Sequence, residues 1–118
     1  MYRLKKDVDL SFLNGRELIQ VAIGMYQVIF AFDEDVTISV EGMFTYSDGA
    51  LETVWKPATP DAAARAVALL GTRVEQTEGE ENGTLTLTFS NGGRLTIPDS
   101  SQEYESYQIT RPGETIVV

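Results

Sequence analysis

Along much of this chain apolar and polar residues alternate with a period of two, the period of a strand with one buried face. Val36, Ile38 and Val40 alternate with Thr37, Ser39 and Glu41, and Leu85, Leu87 and Phe89 alternate with Thr84, Thr86 and Thr88. Glu17–Ile23 and Tyr26–Phe32 flank Gly24 and carry β-branched and aromatic residues that suit a pleated surface. Tyr26–Phe32 is apolar at both phases, which predicts a central strand buried on both faces, and the two segments read as adjacent core strands. Further strands are expected at Leu51–Trp55, around Val74, at Arg94–Ile97, at Tyr104–Thr110 and at Thr115–Val118. The turns between them are signalled by Asp33-Glu34-Asp35, Ser47-Asp48-Gly49, Glu78 to Gly83 and Ser90 to Gly93.

One segment departs from this period. Pro57 and Pro60 stop the sheet, Thr59 stands where an N-cap is expected, and Asp61 sits at the positive end of a helix dipole. Ala63, Ala66, Val67 and Leu70 fall at helical spacing before Gly71, so a helix with that apolar face is expected over about 60–70.

The chain also repeats itself. Leu13-Asn14-Gly15-Arg16, Gln20 and Phe32 are echoed by Leu70-Gly71-Thr72-Arg73, Gln76 and Phe89, and Leu51-Glu52-Thr53-Val54 by Tyr104-Glu105-Ser106-Tyr107. The expectation is one α+β domain over 1–118. It is a mostly antiparallel sheet or flattened barrel made of two similar β-meander halves, about 13–56 and 70–110, joined by the helix.

Composition narrows the chemistry. With neither cysteine nor histidine among 118 residues, Ser-His-Asp and Cys-His catalysis and the usual zinc sites are excluded. A net charge of −9 disfavours nucleic acid and anionic membranes and is compatible with a basic protein partner. Met1 to Asp7 has cations but no apolar stretch after them, so it does not read as a signal peptide. The longest apolar run, Val21–Phe32, is too short for a membrane span, and a cytoplasmic location is expected.

No motif rises to a catalytic site. Glu78 to Gly83 begins like a calcium loop, but Phe89 stands where the bidentate Glu belongs and strands flank it. Asn82-Gly83-Thr84 matches a glycosylation sequon and reads better as a hairpin turn. Asp33-Glu34-Asp35, with Glu103 and Glu105, offers carboxylates without the cleft that paired-carboxylate chemistry needs. Trp55, Tyr104, Glu105 and Tyr107 are the candidate interaction surface, because exposed aromatic residues beside polar groups are common interface anchors. No cofactor is expected.

Phe12 to Arg16, the Gln20 strand, Gly83 to Gly92 and above all Tyr104-Glu105-Ser106-Tyr107-Gln108-Ile109 resemble a family of small stand-alone bacterial domains of unknown function. The resemblance spans about residue 9 to the C-terminus. It implies a bacterial, cytoplasmic, single-domain protein and carries no catalytic residues. The leading expectation is a non-enzymatic protein-binding module, an immunity-like inhibitor being one form, or a homo-oligomer joined through an uncovered sheet edge. The alternative is a small-molecule-binding domain or weak enzyme using carboxylates and tyrosines.

Overall fold

The computed structural model describes residues 8–99 and 106–118. Ten strands form two five-stranded antiparallel sheets. In chain order the strands are β1 (Leu18–Ile23), β2 (Val28–Phe32), β3 (Val36–Val40), β4 (Phe44–Ser47), β5 (Glu52–Trp55), β6 (Val74–Gly79), β7 (Leu85–Phe89), β8 (Arg94–Ile97), β9 (Tyr107–Arg111) and β10 (Glu114–Val117). One sheet has the order β1-β2-β3-β9-β10 and the other β5-β4-β8-β7-β6. The expected flattened barrel is therefore not formed. The strands divide between two open sheets whose apolar faces meet, because the chain changes sheet after β3 and again after β8.

The alternation seen in the sequence becomes the division between core and solvent. In β2, β3 and β7 every second side chain is buried: Val28, Phe30 and Phe32; Val36, Ile38 and Val40; Leu85, Leu87 and Phe89. Stacking of Phe32 on Phe89, with centroids 6.5 Å apart, links the two sheets. Their intervening residues are half-buried on the outer faces, so β2 is not buried on both sides as its composition suggested. Nor is β1 a core strand. It is an edge with only Leu18 fully inside, since period two cannot tell a central strand from the one beside it.

Two 3-10 helices, η1 (Ser11–Leu13) and η2 (Pro60–Leu69), precede β1 and β6. η2 packs against both β5 and β1. It is a 3-10 helix rather than an α-helix, and its buried residues are Ala63, Ala66 and Leu69, three apart, while Val67 and Leu70 are exposed. With three residues per turn, side chains three apart lie in one straight row, which small alanines tolerate. At about 2.0 Å rise per residue the segment reaches roughly a third further than an α-helix of equal length. Thr59 does not cap it with its side chain; its hydroxyl donates instead to the Lys56 carbonyl at 2.6 Å.

After each 3-10 helix the backbone crosses to the first strand in the same manner. The Gly15 amide donates to the Val74 carbonyl (2.7 Å) and the Val74 amide to the Arg16 carbonyl (3.0 Å). The Gly71 amide donates to the Leu18 carbonyl (2.9 Å) and the Leu18 amide to the Thr72 carbonyl (3.0 Å). Both glycines have positive φ, +84° and +83°, a region that side chains other than glycine enter only at a cost. Glu17 and Arg73 form an antiparallel bridge between the two crossings.

Candidate interaction face

Of the four residues expected on an interaction surface, Trp55 and Tyr107 are described, and both are buried. Trp55 is fully buried and stacks on Phe44 with ring centroids 5.4 Å apart, and Phe44 meets Phe30 edge to face at 5.3 Å. Its indole Nε1 has no hydrogen-bond partner among the described residues. Tyr107 is buried too, and its hydroxyl donates to the Gly83 carbonyl at 2.7 Å. Both are candidates for a surface because an aromatic residue at a strand end suits either face. Here they fall on the inward phase, as Tyr107 shares its buried side with Ile109. Tyr104, Glu105 and Glu103 lie outside the described residues.

Beside Tyr107 lies a small polar cluster formed by Asp99 and Ser106. Ser106 is buried; its hydroxyl donates to Asp99 Oδ1 at 2.8 Å, and its carbonyl accepts the amides of Glu41 and Gly42. Burial pushes the Tyr107 phenol above its usual range, and the Asp99 carboxylate adds to the shift. Gly83 has φ of +96°, and a Cβ there would lie 2.5 Å from Asp99 Cβ. Its place is set by this contact, and the Asn82-Gly83-Thr84 sequence serves the hairpin, with the Thr84 amide donating to Asn82 Oδ1.

The acidic turn 33–35 is tied to the crossing described above. Asp33 accepts the Glu17 amide at 3.2 Å and lies within 4.0 Å of both Arg16 and Arg73. At Phe89, where a calcium loop would place its last ligand, the side chain is in the core. Among the described residues no three His, Cys, Asp or Glu side chains gather as metal ligands. A groove of about 360 Å³ crosses the outer face of the second sheet, lined by Thr45, Ser47, Glu52, Arg94 and Thr96 with Gly49 and Gly92. Its lining is mainly polar.

The exposed apolar residues are distributed unevenly. Ile19, Ile23, Met25 and Tyr26 lie on β1 and the turn after it; Leu51 and Val54 on β5 and the turn before it; Val67 and Leu70 at the end of η2. These eight are the large apolar side chains that stand exposed among the described residues, and η2 packs on both of the strands that carry them. They therefore lie on elements that neighbour one another. Exposed apolar surface gathered in this way marks interaction sites. Arg65 braces these elements: it pairs with Asp48 at 2.6 Å, reaches Thr53 Oγ1, and lies over the Tyr46 ring. Two backbone amides, those of Leu51 and Ala50, together with Arg65, hold the Asp48 carboxyl below its usual range. Sequence reading missed the face because it equated apolar density in 17–32 with burial.

Fold and surface together define a small antiparallel β-sandwich with its open side bridged by a 3-10 helix, exposed apolar side chains on β1, β5 and that helix, and no cluster of metal-ligating side chains among the described residues. The chain belongs to a family of unknown function (DUF6188), whose model matches residues 10–118. No curated protein and no solved structure matches it. No helix among the described residues is long and apolar enough to cross a membrane.

Proposed function

We propose that this protein is a non-enzymatic protein-binding module that recognises its partner through the β1–η2–β5 face. We infer also that it is built of two similar halves, β1–β5 and β6–β10. The second inference supplies the argument for the first.

Several features support two halves. Each runs through three strands of one sheet and then sends two into the other, so β9 lies beside β3 and β4 beside β8. β1 and β6 each carry a register break at the same place, between Leu18 and Gln20 and between Val74 and Gln76. Opposite them Phe32 faces Leu18 and Phe89 faces Val74. The paired crossings at Gly15 and Gly71 correspond as well. In this alignment the counterpart of Tyr107 is Phe44, and Gly15 matches Gly71 rather than Thr72.

The alignment provides an internal control. Ile19 corresponds to Glu75, Val21 to Thr77, Ala22 to Glu78 and Ile23 to Gly79, and Met25 and Glu81 both lie in the turn that follows the strand. One scaffold thus carries an apolar edge in the first half and an acidic one in the second. The acidic version forms the same strand, so strand formation does not require the apolar side chains; Val21 packs on the core, and a binding role accounts for the exposed Ile19, Ile23 and Met25. This contrast carries the proposal.

The test exchanges the first edge for the second. Ile19→Glu with Ala22→Glu and Met25→Glu installs residues already borne at the matching strand positions and in the matching turn. The variant is expected to melt within a few degrees of the native protein. It is also expected to lose the partner that the native protein captures from a lysate of its source, while Glu75→Gln with Glu78→Gln retains it. Capture unchanged in the first variant rejects the face as the binding surface.

A further inference from the structure

We propose that the groove on the outer face of the second sheet binds a small zwitterion of the free α-amino acid class, with the carboxylate on Arg94 and the ammonium on Glu52. The inference goes beyond the protein-binding reading and concerns a different surface.

Strand order places the two charges. Glu52 of β5 and Arg94 of β8 both stand opposite Ser47 of β4, so the three form one row with the serine in the middle. Tyr46 and Leu95, at the next positions along β4 and β8, are buried, which puts the row on the outer face. Neighbouring strands lie about 4.8 Å apart, so the Glu52 and Arg94 backbones are roughly 10 Å from each other. Side chains stand roughly perpendicular to a sheet, which keeps the two charges at a similar separation. Unlike charges directly opposite one another would stabilise the strand pair; here a serine holds them apart. Arg16, Arg65, Arg73 and Arg111 each pair with a carboxylate. Among the described residues Arg94 pairs with none, and Glu52 pairs with no cation.

The other sheet supplies a comparison. On the two-halves alignment, Glu52, Ser47 and Arg94 correspond to Thr115, Thr110 and Thr37, which form the matching row across β10, β9 and β3. That row pairs in the same register with threonine alone. The sheet therefore has no need of the two charges, and a ligand accounts for them.

The groove encloses about 360 Å³, the size of a small-molecule site. Besides the two charges it presents the hydroxyls of Thr45, Ser47 and Thr96. Ser47 Oγ accepts the Gly49 amide at 3.2 Å and keeps its own proton to donate. One cation and one anion across a polar floor match a ligand with no net charge and a large dipole. A simple anion would meet Glu52 and the −9 of the chain, and a simple cation would meet Arg94. Charge-assisted hydrogen bonds of about 2.8 Å at each end leave a gap of a few ångströms between them. That gap fits an ammonium and a carboxylate borne on one carbon.

The experiment titrates the isotope-labelled full chain with glycine, L-serine and L-leucine and follows the backbone amides by NMR. Acetate and methylammonium, each carrying one of the two charges, are the controls. At least one amino acid is expected to give saturable shifts grouped on Thr45, Ser47, Glu52, Arg94 and Thr96, and the controls are not. Arg94→Gln and Glu52→Gln are each expected to raise the dissociation constant by about tenfold or more. Both positions are exposed, and unchanged amide shifts away from the groove verify that the variants are folded. No response to any of the three amino acids overturns the proposal. So does acetate or methylammonium binding as tightly as they do, or binding that survives both substitutions. The β1–η2–β5 face is judged separately: the Ile19→Glu, Ala22→Glu, Met25→Glu variant is expected to keep the amino-acid response whether or not it captures a partner, and loss of that response in the folded variant rejects the groove as the site.

Discussion

Tyr107 shows how much one side chain can be asked to do in a core this small. Its ring fills the interior beside β3, and its hydroxyl satisfies the Gly83 carbonyl at the hairpin opposite. Tyr107→Phe leaves that carbonyl buried without its partner, an omission that costs about 1–3 kcal/mol. The loss is expected in urea unfolding at pH 7. The pH dependence follows from the raised phenol. Below its ordinary value of 10.0 the group is neutral in folded and unfolded chains, and its contribution is complete. Above that value the unfolded chain ionises while the folded one resists, so the contribution falls as pH rises. The gap between native and Tyr107→Phe stability is thus expected to narrow above about pH 10. A gap that stays constant to pH 11 would show that the phenol is not held neutral by the fold. Trp55, by contrast, is a buried aromatic side chain whose Nε1 has no partner among the described residues, and its ring stacks on Phe44.

At the scale of elements, η2 separates what was legible from what was not. Its place and its start at Pro60 were readable from the prolines and the alanine-rich run that follows. Its period was not, because alanine is compatible with spacings of three or four, and an α-helical spacing puts Val67 and Leu70 on the apolar face where Leu69 stands instead. The structure gives an expected outcome that distinguishes them. Leu69→Ala removes a fully buried side chain and should cost about 2–5 kcal/mol. Leu70→Ala, at a position 40% exposed, should cost less than about 1 kcal/mol. Equal losses in denaturant unfolding would mean that the segment turns with an α-helical period. The strands fared similarly. β3 and β7 were clear from strict alternation, whereas β4 went unread: in Phe44-Thr45-Tyr46-Ser47 two alternations are too few to stand out between Gly42 and the Asp48-Gly49 turn. That four-residue strand carries the chain from one sheet to the other, so missing it left the barrel and the sandwich indistinguishable. The apolar face was hidden for a related reason, since edge position depends on strand order and not on local pattern.

For the whole molecule, charge sets two opposing trends with pH. The chain carries −9 at neutral pH, and its self-repulsion is relieved as pH falls toward the isoelectric point near 4.3. Two carboxyls work against that relief. Asp9 is held below its ordinary value by hydrogen bonds from Ser11, and Asp48 by the amides of Leu51 and Ala50 with Arg65 beside them. A depressed folded value means that the stabilisation is complete above the unfolded value of 3.8 and is lost as pH falls through the folded one. The melting temperature at low ionic strength is therefore expected to rise gently from pH 7 to about pH 5 and to fall below about pH 4. Salt should flatten the first limb by screening exposed charges and leave much of the second, which depends on short hydrogen bonds. Asp48→Asn isolates one contribution, because the amide oxygen can still accept from Ala50 and Leu51 but carries no charge to meet Arg65. Native protein and variant should differ most above pH 4 and converge near pH 2.5. If they remain apart at that pH, the Asp48 charge is not what anchors η2 to the β4–β5 hairpin. Arg65 would then be held mainly by Thr53 and the Tyr46 ring, and the β4–β5 hairpin would keep its position in acid.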